Sequence, residues 1–184
     1  MPSVAWLVAR MLVVAAGLLA SPGVTAAPHE YQVKAAFLLN FTRFVEWPAS
    51  AFSAPESPFV VGVFGHDPFG ADLDRMVTGE SVNGRPLTVR RVRSAAEASK
   101  CQILFIHQSE DRRLDELLSA LDRHSTLTVS DLPGAAQRGV MIRLVTEGGH
   151  VRMRVNVESA RAAALLISSN LLRSAEIVPN PESR

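Results

Sequence analysis

The stretch PFVVGVFGHDPFG, residues 58–70, decides the predicted fold. It begins with a continuous apolar run from Pro58 to Gly65, and such runs are typical of a strand that is covered on both faces. Asp67 and Pro68 follow at once, and these residue types are favoured at the cap and at the first position of a helix. The stretch therefore predicts a buried strand that leads directly into a short helix over Phe69 to Met76.

The pattern of an apolar strand followed by a helix recurs along the chain. Leu87 to Val92 alternates apolar with cationic residues, as a half-exposed strand does, while Cys101 to Ile106 and Thr126 to Val129 are further strand-like runs. Helices are predicted between them, at Ala95 to Ser99 and at Asp111 to Leu121. This alternation predicts an α/β fold whose central sheet is mostly parallel, with helices on both faces.

Two further elements complete the predicted fold. Gly139 to Val145 and Val151 to Val157 flank Glu147-Gly148-Gly149, which predicts an antiparallel hairpin near one edge of the sheet. The segment from Glu158 to Ala175 is rich in Ala, Leu and Ser, which suits close packing on a sheet. We therefore predict that this segment is a C-terminal helix.

The first helix of the predicted domain, Tyr31 to Trp47, is amphipathic and is ended by Pro48. Its apolar stripe, with Lys34 and Arg43 off it, comprises Val33, Phe37, Phe41, Phe44 and Val45. The aromatic members of that stripe are expected in the core. Arg43, Glu46 and Trp47 lie off the stripe or at the helix end, where an aromatic ring beside a charge pair suits contact with a ligand or partner.

The N-terminus has the features of a secretory signal peptide. Arg10 supplies a positive charge, Met11 to Ala20 is an uninterrupted apolar run, and the small residues and helix breakers SPGVTAA follow. A membrane anchor is the alternative, although the breakers interrupt the apolar stretch. We expect cleavage near Ala26 or Ala27 and export from the cytoplasm. The expected organisation is a signal peptide at 1–26, a single domain at 27–178 and a flexible tail at 179–184.

Charge and cysteine content exclude several classes of function. The chain has 19 basic and 18 acidic residues, and removal of Arg10 with the signal peptide leaves the domain formally neutral. Neutrality argues against nucleic-acid binding, which requires a surplus of cations. Cys101 is the single cysteine, so no internal disulfide and no cysteine-based metal site is expected. Burial of Cys101 in a strand and an intermolecular disulfide remain the two interpretations of this residue.

No catalytic constellation is present in the sequence. The glycines at 62, 65 and 70 match neither a P-loop nor a dinucleotide fingerprint, no two histidines have metal-site spacing, and no G-x-S-x-G elbow occurs. We therefore expect no enzyme activity, no metal and no cofactor. His66 and His107 directly follow apolar strands, where open α/β sheets place ligands, and His66 is a candidate binding residue. A hydrolase that uses His66 with Asp67 is a minor alternative.

Several segments together resemble the YfiR-like family of bacterial periplasmic proteins. The first is YQVKAAFLLNFTRFVEWP at 31–48. The others follow in the order of the family, namely FVVGVFGHDPFG, NGRPLTVRRV, CQILFI, LTVSDLPG, GVMIRLV, VRMRVNVESAR and ISSNLLRSA. They cover nearly the whole mature chain, and their order makes the resemblance specific.

The resemblance implies a compact periplasmic α/β domain without catalytic activity. The best-described members form homodimers and repress an inner-membrane diguanylate cyclase by binding its periplasmic part. A peptidoglycan-binding lipoprotein of the outer membrane relieves that repression, and the output is cyclic di-GMP, hence biofilm and motility. The described repressor also has paired cysteines, whereas here Cys101 alone stands at a family cysteine position. Redox control through an internal disulfide is therefore not expected.

The resemblance also implies candidate residues for a ligand or partner surface. They are Arg43 and Trp47 in FTRFVEWP, and Ser168, Ser169 and Asn170 in ISSN. Asn156, at the end of the second hairpin strand, is a further candidate. The alternative to a cyclase repressor is a small-molecule binding domain that serves a sensor kinase or a transport system.

Overall fold

The computed structural model describes residues 28–122 and 124–179. The predicted signal peptide at 1–26 lies outside the described residues, as does the predicted tail after Pro179. The helices are α1 Pro28–Phe44, α2 Ala71–Val77, α3 Ala95–Ala98, α4 Leu114–Ala120, α5 Val157–Ala162 and α6 Ser169–Leu172. The strands are β1 Val45–Glu46, β2 Phe59–Phe64, β3 Ser81–Val82, β4 Arg85–Val92, β5 Ile103–Ile106, β6 Leu127–Ser130, β7 Ile142–Glu147, β8 His150–Val155, β9 Leu166–Ile167 and β10 Ala175–Ile177. Short 3-10 helices lie at Ala49–Ala51, Gln108–Arg113 and Ala135–Arg138.

Eight strands form one mixed sheet in the order β10-β8-β7-β6-β5-β2-β4-β3. The five strands β7, β6, β5, β2 and β4 are mutually parallel. The hairpin partner β8 is antiparallel to β7, and β3 is antiparallel to β4. These relations confirm the predicted α/β fold with a mostly parallel sheet and an antiparallel hairpin near one edge.

The helices cover both faces of the sheet, as predicted. All six residues of β2 are buried, and alternate side chains point into two separate clusters. Phe59, Val61 and Val63 belong to the cluster that includes residues of α1, α2, α5 and α6. Val60 and Phe64 belong to the cluster that includes residues of α3 and α4. The continuous apolar run therefore reflects burial on both sides.

The buried side of α1 differs from the predicted stripe. Lys34, Leu38, Phe41 and Val45 are buried at positions i, i+4, i+7 and i+11, while the predicted members Val33, Phe37 and Phe44 are half-buried. The prediction that Lys34 lies off the stripe is wrong, because its ammonium group forms a buried ion pair with the carboxylate of Asp131, the residue that follows β6. The helix also ends at Phe44 and not at Trp47, since Val45 and Glu46 pair as a strand.

The C-terminal segment is helical as predicted, but in two short pieces. The continuous helix predicted over 158–175 is wrong, because α5 ends at Ala162 and Ala164 has a left-handed φ of 57°. Strand β9 follows, and the Ser168 side chain then accepts a hydrogen bond from Leu171 N–H to begin α6. Pairing of β9 with β1 outweighs the helical preference of the Ala-rich sequence.

Gly62 in β2 allows the closest approach between the sheet and Cys101. A Cβ atom at this position would lie 2.7 Å from Cys101 Sγ and 2.9 Å from Leu104 Cδ1. Cys101 is buried, which confirms the interpretation of this residue as a small core side chain, and burial raises the pKa of its thiol to about 11. The protonated thiol packs as an apolar group.

We expect Gly62→Ala to lower the free energy of unfolding by about 1–3 kcal/mol, because the added methyl group overpacks the core. Urea denaturation of the variant measures this loss. In the Gly62→Ala/Cys101→Ala double variant the removed sulfur makes room, so the combined loss should be smaller than the sum of the two single losses. Strict additivity of the two losses would contradict the close approach.

Candidate functional site

The structure brings together the two segments that carry most of the candidate residues. Strands β1 and β9 form a separate two-stranded sheet, in which Val45 pairs with Ile167 and Glu46 pairs with Leu166. Ser168 N–H donates a hydrogen bond to the carbonyl oxygen of Phe44 at 2.8 Å. Backbone pairing thus places the end of α1 beside the start of α6, although the segments are far apart in the sequence.

This pairing creates an exposed surface of mixed character, which we call the β1–β9 surface. It comprises the exposed residues Arg43, Glu46, Leu166, Ser169 and Asn170. Leu166 is 62% exposed and is one of the two large apolar side chains that are exposed among the described residues. A single exposed leucine is ordinary on a protein surface, so the exposed charges of Arg43 and Glu46 are the feature that makes this surface a candidate for contact.

A groove runs beside this surface, between α1 and the segment that includes β3. We call it the α1–β3 groove, and its volume is about 700 Å³. One wall contains Asn40, Arg43 and Glu46, and the other contains Glu80 and Asn83. A smaller hollow of about 260 Å³ shares Val45, Glu46, Val82 and Asn83 with the groove and also contains Trp47, Phe52, Phe59 and Arg85. Three of the predicted residues, Arg43, Glu46 and Trp47, therefore line connected cavities.

The charges in this groove are available to a binding partner. Neither Arg43 nor Glu46 lies within 4.0 Å of an opposite charge anywhere in the part of the chain that the structure describes. Both side chains are exposed. The pair can thus donate and accept charge-assisted hydrogen bonds without first breaking an internal contact.

Trp47 has a structural contact as well as a place in the hollow. Its indole Nε1–H donates to the carbonyl oxygen of Gln102 at 3.0 Å, and its ring meets that of Phe59 edge to face at 4.9 Å. Gln102 in turn accepts a hydrogen bond from Val60 N–H through its side chain. Trp47 therefore joins the end of α1 to the sheet and is only partly available to a ligand.

The remaining candidates fall into three environments. The Ser168 hydroxyl caps α6, while Ser169 and Asn170 are exposed, with the Asn170 amide oxygen accepting from Arg173. Asn156 is fully buried: its amide donates to Ala136 O at 3.1 Å and accepts from Ser159 N–H at 3.0 Å. These bonds begin α5 and leave the Asn156 amide no route to a surface ligand. The exposed His66 lies at the end of β2, where its ring centroid is 5.2 Å from that of His107.

A buried network that the sequence analysis missed fixes the position of α1. Lys34 Nζ lies 3.2 Å from Asp131 Oδ2 and 2.6 Å from Glu30 Oε1, and the Lys34 and Asp131 side chains are each 4% exposed. Tyr31 donates its hydroxyl to the same Asp131 oxygen at 2.9 Å. One feature of the sequence could have indicated that Lys34 is buried. It lies four residues before Leu38, which places both side chains on the same side of the helix.

This network shifts the pKa values of Tyr31 and Glu30, and its charges also act on His107. Burial and the adjacent Asp131 carboxylate raise the pKa of the Tyr31 hydroxyl, which keeps it protonated as a donor. Burial acts to raise the pKa of Glu30, but hydrogen bonds from Lys34 and Thr146 outweigh it and the pKa is lowered. At His107, burial lowers the pKa, and the charges of His66 and Lys34 act in the same direction while Asp131 opposes them.

Residues 28–122 and 124–179 contain no group of three or more His, Cys, Asp or Glu side chains arranged to hold a metal ion. Within the same ranges, every helix is too short or too polar to cross a bilayer.

Lys34→Met should lower the free energy of unfolding by about 3–5 kcal/mol, because it leaves the buried Asp131 carboxylate without its positively charged partner. Chemical denaturation measures this loss. Arg75→Met is the matched control, since Arg75 pairs with Asp72 on the exposed face of α2, and its change should stay within about 0.5 kcal/mol. Equal losses in the two variants would contradict the buried network.

The lowered pKa of Glu30 predicts a pH dependence of stability. A folded pKa below the ordinary value of 4.5 adds stability above pH 4.5, and this stability is lost as the pH falls through the folded pKa. Between pH 6 and pH 3, roughly the window of this titration, the native chain should therefore lose more stability than Glu30→Gln does. Urea midpoints across that range measure the difference, and parallel curves would contradict the assignment.

Comparisons with known proteins agree with the geometry of the fold. The profile of the YfiR/HmsC-like family matches residues 31–176. The chain is similar to the crystal structure of a conserved domain protein from Vibrio cholerae O1 biovar El Tor strain N16961, with a TM-score of 0.50 and 11% sequence identity. That similarity covers 79% of this chain and 59% of the other, and at this identity it shows the fold alone. No curated protein matches the chain.

Proposed function

Because the chain belongs to the YfiR/HmsC-like family, we propose that it represses an inner-membrane diguanylate cyclase by binding the periplasmic part of that enzyme. The family is one of periplasmic regulators of cyclic di-GMP signalling, and the profile match over residues 31–176 is the observation that carries the proposal. The proposed outcome of repression is a lower level of cyclic di-GMP, with effects on biofilm and motility.

The contact with the cyclase is proposed to lie on the β1–β9 surface and the adjoining α1–β3 groove. Exposed apolar and charged side chains lie close together there, since Leu166 pairs in register with Glu46 and Arg43 lies in the last turn of α1, just before that strand. Arginine is enriched at the energetic centres of protein interfaces, so Arg43 is the proposed anchor of the contact. Ser169 and Asn170 would add hydrogen bonds at the rim.

The proposal also covers the location of the domain, its oligomeric state and its antagonist. The segment 1–26 would direct export and then be cleaved, which would place the domain in the periplasm beside the periplasmic part of the cyclase. A homodimer is the proposed active form, since the described relatives form homodimers and two-fold dimers are the commonest homo-oligomers of soluble proteins. An outer-membrane lipoprotein that binds peptidoglycan is the proposed antagonist. Regulation by binding requires no catalytic residue in this domain.

Deletion of the gene should raise cellular cyclic di-GMP, and restoration of the native gene should reverse the rise. Complementation with Arg43→Glu/Glu46→Lys should fail to reverse it, because both surface charges are inverted at the proposed contact. Mass spectrometry of the extracted nucleotide measures the level. Circular dichroism and the thermal midpoint of the purified variant should match the native protein, since both side chains are exposed.

Substitutions of Trp47 and Leu166 distinguish a loss of stability from a loss of binding to the cyclase. Leu166→Asp should retain the native thermal midpoint and lose repression, because Leu166 is 62% exposed. Trp47→Ala should lower stability by about 3 kcal/mol or more, since it removes the ring that contacts Phe59. Full repression by both charge-inverted and Leu166→Asp proteins would contradict the proposed contact surface.

A small-molecule binding function is the second candidate, and the size of the α1–β3 groove favours it. Its volume of about 700 Å³ lies within the range of ligand pockets. A thermal-shift screen against nucleotides, aromatic amino acids and vitamins tests this candidate, because a ligand that binds the folded state raises its apparent stability. An unchanged cyclic di-GMP level on deletion together with a shift that Arg43→Glu abolishes would favour this candidate over the repressor.

A further inference from the structure

Strand β4 has an uncovered edge over its second half. On one side β4 pairs with β2 from Leu87 to Val92. On the other side β3 pairs only with Arg85 and Pro86, and Leu87 N–H donates to Glu80 O at 2.9 Å. Beyond Leu87, no strand within the described residues pairs with that second side.

The uncovered edge presents hydrogen-bonding groups in a regular order. Because peptide groups along a strand alternate in direction, residues two apart point their N–H and C=O groups to the same side. The Leu87 N–H group points toward β3, so the backbone groups of Val89 and Arg91 point outward from the sheet. Such a row of unpaired groups is a template for the addition of another strand.

Cationic side chains surround this edge. Arg90, Arg93 and Lys100 are exposed, and the ion pairs among the described residues include none of the three. Arg91 is different, since Asp67 and Asp74 hold its guanidinium at 2.8 and 2.6 Å on the face of the sheet that α2 covers. The edge therefore has three free positive charges in a chain whose formal net charge is +1.

A hollow adjoins the free charges and defines where a partner would lie. Its volume is about 360 Å³, and it is lined by Arg90, Arg91, Val92, Glu97 and Lys100. Glu97 is the acidic member of this lining, and its Oε2 accepts a hydrogen bond from Arg93 N–H at 2.7 Å. That bond directs the Glu97 carboxylate to the backbone and leaves Arg90 and Lys100 to attract an external anion.

We propose that the free edge of β4, residues 88–92, binds an extended acidic segment of a partner protein, which adds to the sheet as a further strand. Arg90, Arg93 and Lys100 then pair with carboxylates of that segment, while the outward N–H and C=O groups of Val89 and Arg91 form the ladder. This site is separate from the α1–β3 groove, and it does not require that the partner is a cyclase.

The alternation of the strand defines the chemistry of the bound segment. Arg90 pairs in register with Gly62, on the face of the sheet where Cys101 and α3 lie, whereas Val89 packs against the opposite cluster. Side chains of an added strand also alternate between the two faces. Carboxylates at every second position therefore meet Arg90 and Lys100, which line the same hollow, and apolar residues at the intervening positions continue the layer of Val89.

A fluorescein-labelled synthetic peptide of alternating Glu and Val residues tests the proposal on the complete mature protein. Fluorescence anisotropy at low ionic strength should show saturable binding. Arg90→Glu/Lys100→Glu should weaken this binding by about tenfold or more and should instead favour a peptide of alternating Lys and Val residues. Arg112→Glu/Arg161→Glu is the control with the same change of net charge at exposed positions away from the edge, and it should bind as the native protein does.

Two further probes distinguish strand addition from general charge attraction. Val89→Pro removes an outward N–H and leaves the side that pairs with β2, so it should abolish binding while the native circular dichroism spectrum is retained. A peptide of the same charge in which Pro replaces each Val should not bind. Equal binding of that peptide, equal weakening by the control variant, or no binding of the Glu–Val peptide at millimolar protein would overturn the proposal. The proposed cyclase repression has its own readout in cyclic di-GMP and stands or falls separately.

Discussion

Burial of β2 on both faces is the constraint on which the other elements depend. A strand with six buried residues needs a layer of helices on each side, because exposed apolar area of that size is unstable in water. α1 and α2 provide one layer, and α3 and α4 provide the other. Parallel strands must be joined by crossover connections, and these connections contain α2, α3 and α4. The strand order therefore already places these three helices on the sheet. The position of α1 is less constrained, since this helix precedes the first long strand.

The buried contact of Lys34 with Asp131 removes that freedom. It joins α1 to the end of β6, and Tyr31 shares the same carboxylate. At the other end of α1, Trp47 donates to Gln102 just before β5, and β1 pairs with β9. A helix fixed at both ends presents a rigid face, and that face is one wall of the α1–β3 groove. The stability of the core and the shape of the candidate site thus depend on the same few contacts.

The two surfaces proposed for binding differ in the way that they could recognise a partner. The β1–β9 surface and the adjoining groove offer exposed apolar area beside charges of both signs, which suits a folded partner with a complementary shape. The edge of β4 offers backbone groups flanked by positive charge, which suits an extended and acidic chain. Because they differ in chemistry, one regulator could contact two kinds of partner, and substitutions at one surface leave the other intact.

The sequence by itself determined the elements that depend on local pattern. The apolar run at 58–65 and the hairpin of β7 and β8 follow from periodicity and turn chemistry, and both are present in the structure. The short helix after the run is also present, but its predicted start at Asp67 and Pro68 is wrong. The helix begins at Ala71, because the Asp67 carboxylate accepts hydrogen bonds from the N–H groups of Phe69 and Gly70 in a turn before it. The candidates Arg43, Glu46 and Trp47 follow from their place at the end of the predicted helix, and their role in binding stays a prediction. Local pattern failed where a distant partner decided the outcome. The segment at 158–175 is divided because β9 pairs with β1, and Lys34 is buried because Asp131 lies opposite it. The Asn156 amide is satisfied inside the protein by groups of Ala136 and Ser159, a relation that no local spacing reveals. Only the tertiary structure could decide these points, because an isolated segment has no information about the carboxylate or the strand that it meets after folding.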